Sequence, residues 1–214
     1  MPEGRVLHGY FRSSAAYRVR IALNLKGIEA ERRPVHLRKG EQRSPDFLRR
    51  NPAGLVPLWT EAGWSLSQSL AIIEYLDEAH PEPPLLPGTA RDRARIRELA
   101  LTIATDIHPV GNLRVLDKLT EVYGADEQAR AAWVRLWIEA GFEAIERRLA
   151  TTPGQYCYGD APTLADCCLV PQMFNARRFG VDLTRYPLMV RTDAALNEIE
   201  AFRLALPSLQ PDAE

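Results

Sequence analysis

Three things are scarce in this chain, and each scarcity excludes something. Only three of its 214 residues are cysteine. Cys157, Cys167 and Cys168 are odd in number and have neither metal-ligand spacing nor a C-x-x-C pair, so no disulfide framework and no metal site is read from them. They are expected to be small buried hydrophobes in a reducing compartment. Charge of one sign is also lacking: 27 basic against 28 acidic residues give a formal net charge of -1. That balance argues against a chain-wide attraction to nucleic acid or an anionic membrane, so any anion site must be local. Finally, no apolar run approaches the ~20 residues of a membrane span, and no basic flank leads into an apolar block and cleavage site. A soluble cytoplasmic protein is expected, of ordinary globular composition at 46% hydrophobic residues, without internal repeats or low-complexity tracts.

What the chain does have is a junction. Phe11-Arg12-Ser13-Ser14-Ala15-Ala16-Tyr17-Arg18-Val19-Arg20-Ile21-Ala22-Leu23 carries a short apolar run into a helical pattern. A helix N-terminus presents unpaired amides and roughly half a positive charge. Ser13 and Ser14 therefore either cap the helix or hold an anion there. Before the junction, Arg5 to Tyr10 reads as a strand. After it the helix runs to about Lys26, with Gly27 as its stop. Ala30 to Leu37 reads as a second strand, with Pro34 at an edge or end, and Ser44 to Arg50 as a short helix or turn. Apolar runs on either side of Glu61-Ala62-Gly63 suggest a hairpin. Gln68-Ser69 then heads an amphipathic helix through Leu70, Ile72, Ile73 and Leu76 that ends near Ala79.

Four prolines in His80-Pro81-Glu82-Pro83-Pro84-Leu85-Leu86-Pro87-Gly88 cannot continue a helix and form a linker. Strand signals then nearly vanish. Thr89 with Asp92, and Thr163 with Asp166, have capping-box spacing. A break is expected at His108-Pro109, helix stops and starts at Gly124 and Asp126, and a last helix between about Leu188 and Ala205. The expected architecture is α/β plus all-α, divided into residues 1–83 and 84–214.

These motifs together resemble the cytosolic glutathione transferases, most closely the zeta class. The resemblance rests on Phe11-Arg12-Ser13-Ser14 with its helix, Asn51-Pro52 with Val56-Pro57, and Gln68-Ser69 with Ala71-Ile72-Ile73-Glu74-Tyr75-Leu76. It continues through Thr163-Leu164-Ala165-Asp166 with Leu169-Val170-Pro171-Gln172, and reaches Gln210-Pro211-Asp212 at the end. One position departs: Ala15 stands where the class often has cysteine.

The resemblance implies a thioredoxin-like N-terminal domain that binds glutathione, followed by an all-helical domain. It implies that Ser14 donates a hydrogen bond to the glutathione sulfur, lowering the thiol pKa so that the nucleophilic thiolate forms, with Ser13 as cap or supporting donor. It places a cis bond at Val56-Pro57, leaving the Val56 backbone to pair with the tripeptide like an added strand, against the plain reading of a proline opening a strand. Gln68 and Ser69 hold the γ-glutamyl end, and Gln42 matches a loop position near the tripeptide, with a solvated surface glutamine as the equal alternative. His108, Asn112 and Arg114 match positions near the glutathione and dimer cleft, and a histidine before a helix-breaking proline is equally explained as structural.

The implied activity is cis–trans isomerisation of a maleyl keto-acid, maleylacetoacetate first and maleylpyruvate second. Such dicarboxylates call for arginine, whose planar fork matches a carboxylate. Arg12, Arg114 and Arg178 are the candidates, Arg12 and Arg178 for the catalytic role. A conjugating transferase or dehalogenase that consumes glutathione, and a non-catalytic binding protein, are the competing classes. A homodimer is implied by the resemblance alone. The charge runs Arg32-Arg33 and Arg49-Arg50 are read as solvated faces.

Overall fold

The computed structural model describes residues 4–214. They pack as two units: the residues up to Leu85 together with Glu198–Glu214, and Leu86–Asn197. The sequence division at 83/84 follows chain order, whereas packing returns the end of the chain to the first unit.

The first unit is built on a four-stranded sheet of β1 (Val6–Gly9), β2 (Glu31–Pro34), β3 (Leu58–Glu61) and β4 (Trp64–Ser67), in the order β2-β1-β3-β4. β1 runs parallel to β2 and antiparallel to β3, and β3 and β4 form the expected hairpin. Three helices accompany the sheet: α1 (Ser14–Leu25), α2 (Pro45–Arg50) and α3 (Ser69–Ala79). Burial explains their patterning. Val19, Ile21, Leu23, Trp59, Ile72 and Ile73 are all fully buried, so α1 is enclosed on several sides rather than amphipathic.

β2 is shorter than the expected 30–37. Pro34 has no amide to give, and after Val35 donates to the Gly9 carbonyl at 2.7 Å the chain tightens into a 3-10 turn, Leu37–Lys39. His36 Nδ1 caps that turn by accepting from the Lys39 amide at 3.2 Å. Arg32 also departs from its reading as solvated: it is partly buried, and burial lowers its pKa. Arg33 and Arg49 remain exposed, paired with Glu31 and Asp46 respectively.

The second unit is helical: α4 (Ala90–Leu101), α5 (Leu113–Tyr123), α6 (Glu127–Leu149), α7 (Leu164–Arg178) and α8 (Pro187–Asn197). Asp92 caps α4 by accepting from the Thr89 amide at 2.8 Å. α4 passes into a π-helical turn, Thr102–Ile107, and then a 3-10 turn at Pro109–Gly111, so the break expected at His108-Pro109 is present. Gly124 ends α5 in the left-handed conformation and Asp126 caps α6, as their positions predict. At the start of α7 the wholly buried Asp166 accepts from the Thr163 amide and hydroxyl, both at 2.7 Å, and from the Cys157 amide at 2.9 Å.

The expected last helix, 188–205, is two. α8 ends at Asn197, and a short α9 (Glu200–Arg203) follows. Asn197 Nδ2 donates to the Asp193 carbonyl at 2.7 Å, a side-chain bond that competes with helix continuation. Ile199 is then extended. α9 belongs to the first unit, where it packs on α1.

Candidate active site

One end of the sheet assembles the candidate site. His8 of β1 pairs with Arg33 of β2 on one side and Leu58 of β3 on the other, and Leu58 pairs with Ser67 of β4. Beyond that row, β1 leads into the turn before α1, β2 into the loop carrying Gln42, and β4 into Gln68-Ser69 and α3. The chain enters β3 at the same end, through Val56-Pro57. Four predicted segments therefore meet the sheet at one edge.

At the head of α1, Ser13 is the N-cap. Its amide donates to the Tyr10 carbonyl at 2.9 Å and its Oγ accepts from the Ala16 amide at 3.2 Å. The capping and anion readings thus separate by residue: Ser13 caps, and the buried Ser14 hydroxyl makes no hydrogen bond among the described residues. Arg12 is partly buried and lies over the Phe11 ring at 5.0 Å, without a carboxylate partner among the described residues. A cation, a hydroxyl and the first amides of a helix are gathered within three consecutive positions.

The peptide bond Val56-Pro57 is cis, as the resemblance implies. No hydrogen bond is made to the Val56 amide or carbonyl among the described residues. The loop before it is held by Asn51, whose Nδ2 donates to the Leu55 carbonyl at 2.7 Å and whose Oδ1 accepts from the Ala53 amide at 3.2 Å. Gly54, at φ 60, lets this loop approach the next: a Cβ there would lie 3.2 Å from the Gln42 carbonyl oxygen. Gln42 Nε2 donates to the Leu37 carbonyl at 3.3 Å, while its buried Oε1 has no partner. It is partly buried, not the solvated glutamine of the alternative reading.

Gln68 and Ser69 begin α3 as predicted. Gln68 takes φ 74 and ψ 113, a strained conformation for a residue with a side chain. Ser69 is buried, and its Oγ accepts from Arg18 Nη1 at 3.2 Å. Arg18 stands one turn after Ser14, so this bond ties the N-terminal ends of α1 and α3 together. Sequence reasoning missed Arg18; its spacing of four from Ser14 on the helix was the available signal.

In the second unit, His108 lies between the π-helical and 3-10 turns, Asn112 caps α5 by accepting from the Arg114 amide at 3.2 Å, and Arg114 is exposed in the first turn of α5. These three follow one another along a single segment. Arg178 is on another helix, exposed at the end of α7, with its guanidinium 5.1 Å from the Phe179 ring centre. Cys157, Cys167 and Cys168 are free thiols and buried, and burial pushes the Cys157 thiol up.

This combination of sheet order, junction and helical unit matches known proteins. Residues 12–79 match the family model described as glutathione S-transferase, N-terminal domain, and residues 126–205 that of the C-terminal domain. A probable maleylacetoacetate isomerase of Vibrio cholerae is 49% identical, covering 97% of this chain and 98% of its own. Among solved structures, holo maleyl pyruvate isomerase, described as a bacterial zeta-class glutathione S-transferase, superposes with a TM-score of 0.96 at 50% identity, covering 98% of this chain and 100% of that one. A maleylacetoacetate isomerase of Methylobacterium extorquens with bound malonate and glutathione gives 0.94 at 40% identity, covering 98% and 99%. The chain belongs to the glutathione S-transferase family. Within that family it is a member of the zeta class.

Proposed function

We propose that this protein is a glutathione-dependent cis–trans isomerase of maleyl keto-acids, with maleylacetoacetate as substrate and maleylpyruvate as the close alternative. The observation that carries this is the head of α1: a buried hydroxyl with no acceptor, helix amides and an arginine without a carboxylate partner in consecutive positions. Isomerases of both substrates are among the relatives that resemble the chain over nearly its whole length.

The donor set fits glutathione. The unpaired Val56 amide and carbonyl suit a peptide added as a strand, and the α3 N-terminus with Ser69 suits its γ-glutamyl carboxylate. Gln42 is proposed to contact the tripeptide by turning its partnerless Oε1, buried here, toward a peptide N–H. When bound, the tripeptide supplies a thiolate that adds reversibly to the cis double bond and leaves after rotation about the resulting single bond. Ser14 donates to the sulfur and the α1 amides add their field, which favours the thiolate over the thiol. Ser13 keeps the turn closed. Arg12 holds a substrate carboxylate and stabilises the enolate-like charge that develops on addition, an interaction stronger in the transition state than before it. Arg178 and Arg114 are proposed as further carboxylate ligands, and His108 and Asn112 as glutathione-side contacts. The functional assembly is proposed to be a cytoplasmic homodimer. Among the described residues no helix is long and apolar enough to cross a membrane.

The test is an assay with maleylacetoacetate and maleylpyruvate at catalytic glutathione and at none, with free thiol followed alongside. Loss of the cis compound with thiol conserved is expected, whereas thiol consumed in step with substrate would replace the isomerase by a conjugating transferase. Ser14→Ala is expected to lower kcat/KM by about 10²–10³-fold and to raise the bound thiol's pKa by about 1–2 units, the worth of one charge-assisted hydrogen bond.

A further inference from the structure

The closing motif Gln210-Pro211-Asp212 has no part in the chemistry above, yet it reaches the turn that carries Ser14. Asp212 Oδ2 accepts from the Phe11 amide at 2.9 Å. The Phe11 carbonyl accepts from Arg20 Nη2 at 3.2 Å, and Arg20 Nε donates in turn to the Ala205 carbonyl at 3.0 Å. Both polar groups of the Phe11 backbone are thus held from the segment 198–214, the amide directly and the carbonyl through one buried arginine. Gln210 pins the tail behind Asp212 by donating to the Leu206 carbonyl at 2.8 Å. Phe11 is buried, and Arg12, Ser13 and Ser14 follow it without a break.

The amide of Phe11 lies before the helix and outside the β1 ladder, so neither helix nor sheet supplies its acceptor. Without Asp212 the Tyr10–Phe11 peptide plane keeps one of its two bonds, the Ser13 amide to the Tyr10 carbonyl at 2.9 Å, and is held less firmly. That loosening reaches the N-cap, and with it the first turn of α1, which carries Ser14 and the leading amides together. A displacement of about 1 Å at a reacting group can cost roughly 10²-fold in rate.

We infer that Asp212 is a positioning residue, which fixes the turn Phe11–Ser13 and so holds the first turn of α1, with the Ser14 hydroxyl and the leading amides, in its place at the end of the sheet. The inference rests on the reading of Ser14 as the donor to the glutathione sulfur. It acts through the backbone: an acceptor oxygen at this place is required, and a negative charge is not.

The experiment compares Asp212→Ala, Asp212→Asn and Ser14→Ala in the full-length protein, measuring kcat, KM for glutathione, the bound thiol's pKa from thiolate absorbance, and the melting temperature. Asp212→Ala is expected to lower kcat about 10–100-fold with KM for glutathione little changed, and to raise the thiol pKa. Asp212→Asn, which keeps an acceptor oxygen, is expected to restore both to within about threefold of the parent. Unchanged kcat and thiol pKa in folded Asp212→Ala, or an Asn variant as impaired as the Ala variant, overturns the inference. If Ser14→Ala leaves the thiol pKa in place, the Ser14 reading falls by itself, and kcat with its rescue by Asn still decides Asp212. Should Asp212→Ala not fold, Asp212→Glu, which keeps the charge but moves the oxygen by one methylene, is expected to show the same loss of kcat. Parent-like kcat in that variant overturns the inference.

Discussion

Gln68 holds φ 74 and ψ 113 at the start of α3, and a conformation of that kind costs on the order of 1–3 kcal/mol where a Cβ is present. Gln68→Ala removes the side chain and keeps the strain, while Gln68→Gly removes both. The glycine variant is expected to be about 1 kcal/mol more stable than the alanine variant in urea unfolding, with both binding glutathione more weakly than the parent in calorimetry. His8 offers a second test. It is buried in β1, against Phe47, and burial followed by the charge of Arg50 lowers its pKa to about 4 from an ordinary 6.5. Below 6.5 the unfolded chain binds a proton that the folded chain refuses. Stability is therefore full above pH 6.5 and falls as pH drops toward 4, by about 2–3 kcal/mol at pH 4.5 from this residue. His8→Leu is expected to flatten the fall in denaturant stability between pH 7 and 4.5. Ser13 and Ser14 were legible in the sequence because a helix start is a local pattern. Arg18, Arg20 and Asp212 were not: arginine is rarely buried without a partner, and their partners are Ser69, Ala205 and Phe11.

Helix ends are legible wherever the signal is a cap within four residues, as at Thr89, Asp126 and Thr163. The π-helical turn Thr102–Ile107 leaves no such mark, since it depends on packing against another helix. Its fit to α6 is close: a Cβ on Gly141 would overlap both Cγ1 and Cδ1 of Ile107. Gly141→Ala is accordingly expected to lower stability by about 1–3 kcal/mol, as overpacking does. In a double-mutant cycle, Ile107→Ala should offset part of that loss; additive effects would show that the contact relaxes freely. β2 and the last helix are shorter than their patterns suggest for a related reason. Hydrophobic periodicity continues past Pro34 and past Asn197, and what ends the elements there is the 3-10 turn that His36 caps and the bond of the Asn197 side chain.

The fold of the whole molecule was legible as two compositions, strands with helices and then helices alone, joined by prolines. The return of 198–214 was not, because α9 looks like a continuation of α8 in sequence. Phe202 and Ala205 are fully buried, and Asn24 Nδ2 donates to the Ala201 carbonyl at 2.8 Å, so the return covers a face of α1. Residues 1–85 alone are expected to unfold without cooperativity. The same residues joined to 198–214 by a flexible linker are expected to give a single denaturant transition, and a cooperative 1–85 fragment would contradict this. The placement of the cysteines has its own consequence. All three lie in the second unit, enclosed, and Ala15 stands beside Ser14. Exchange with a disulfide requires an accessible thiolate. Oxidised glutathione is therefore expected to compete for the site as a reversible ligand rather than through a mixed disulfide with the enzyme, so that activity follows the supply of reduced tripeptide.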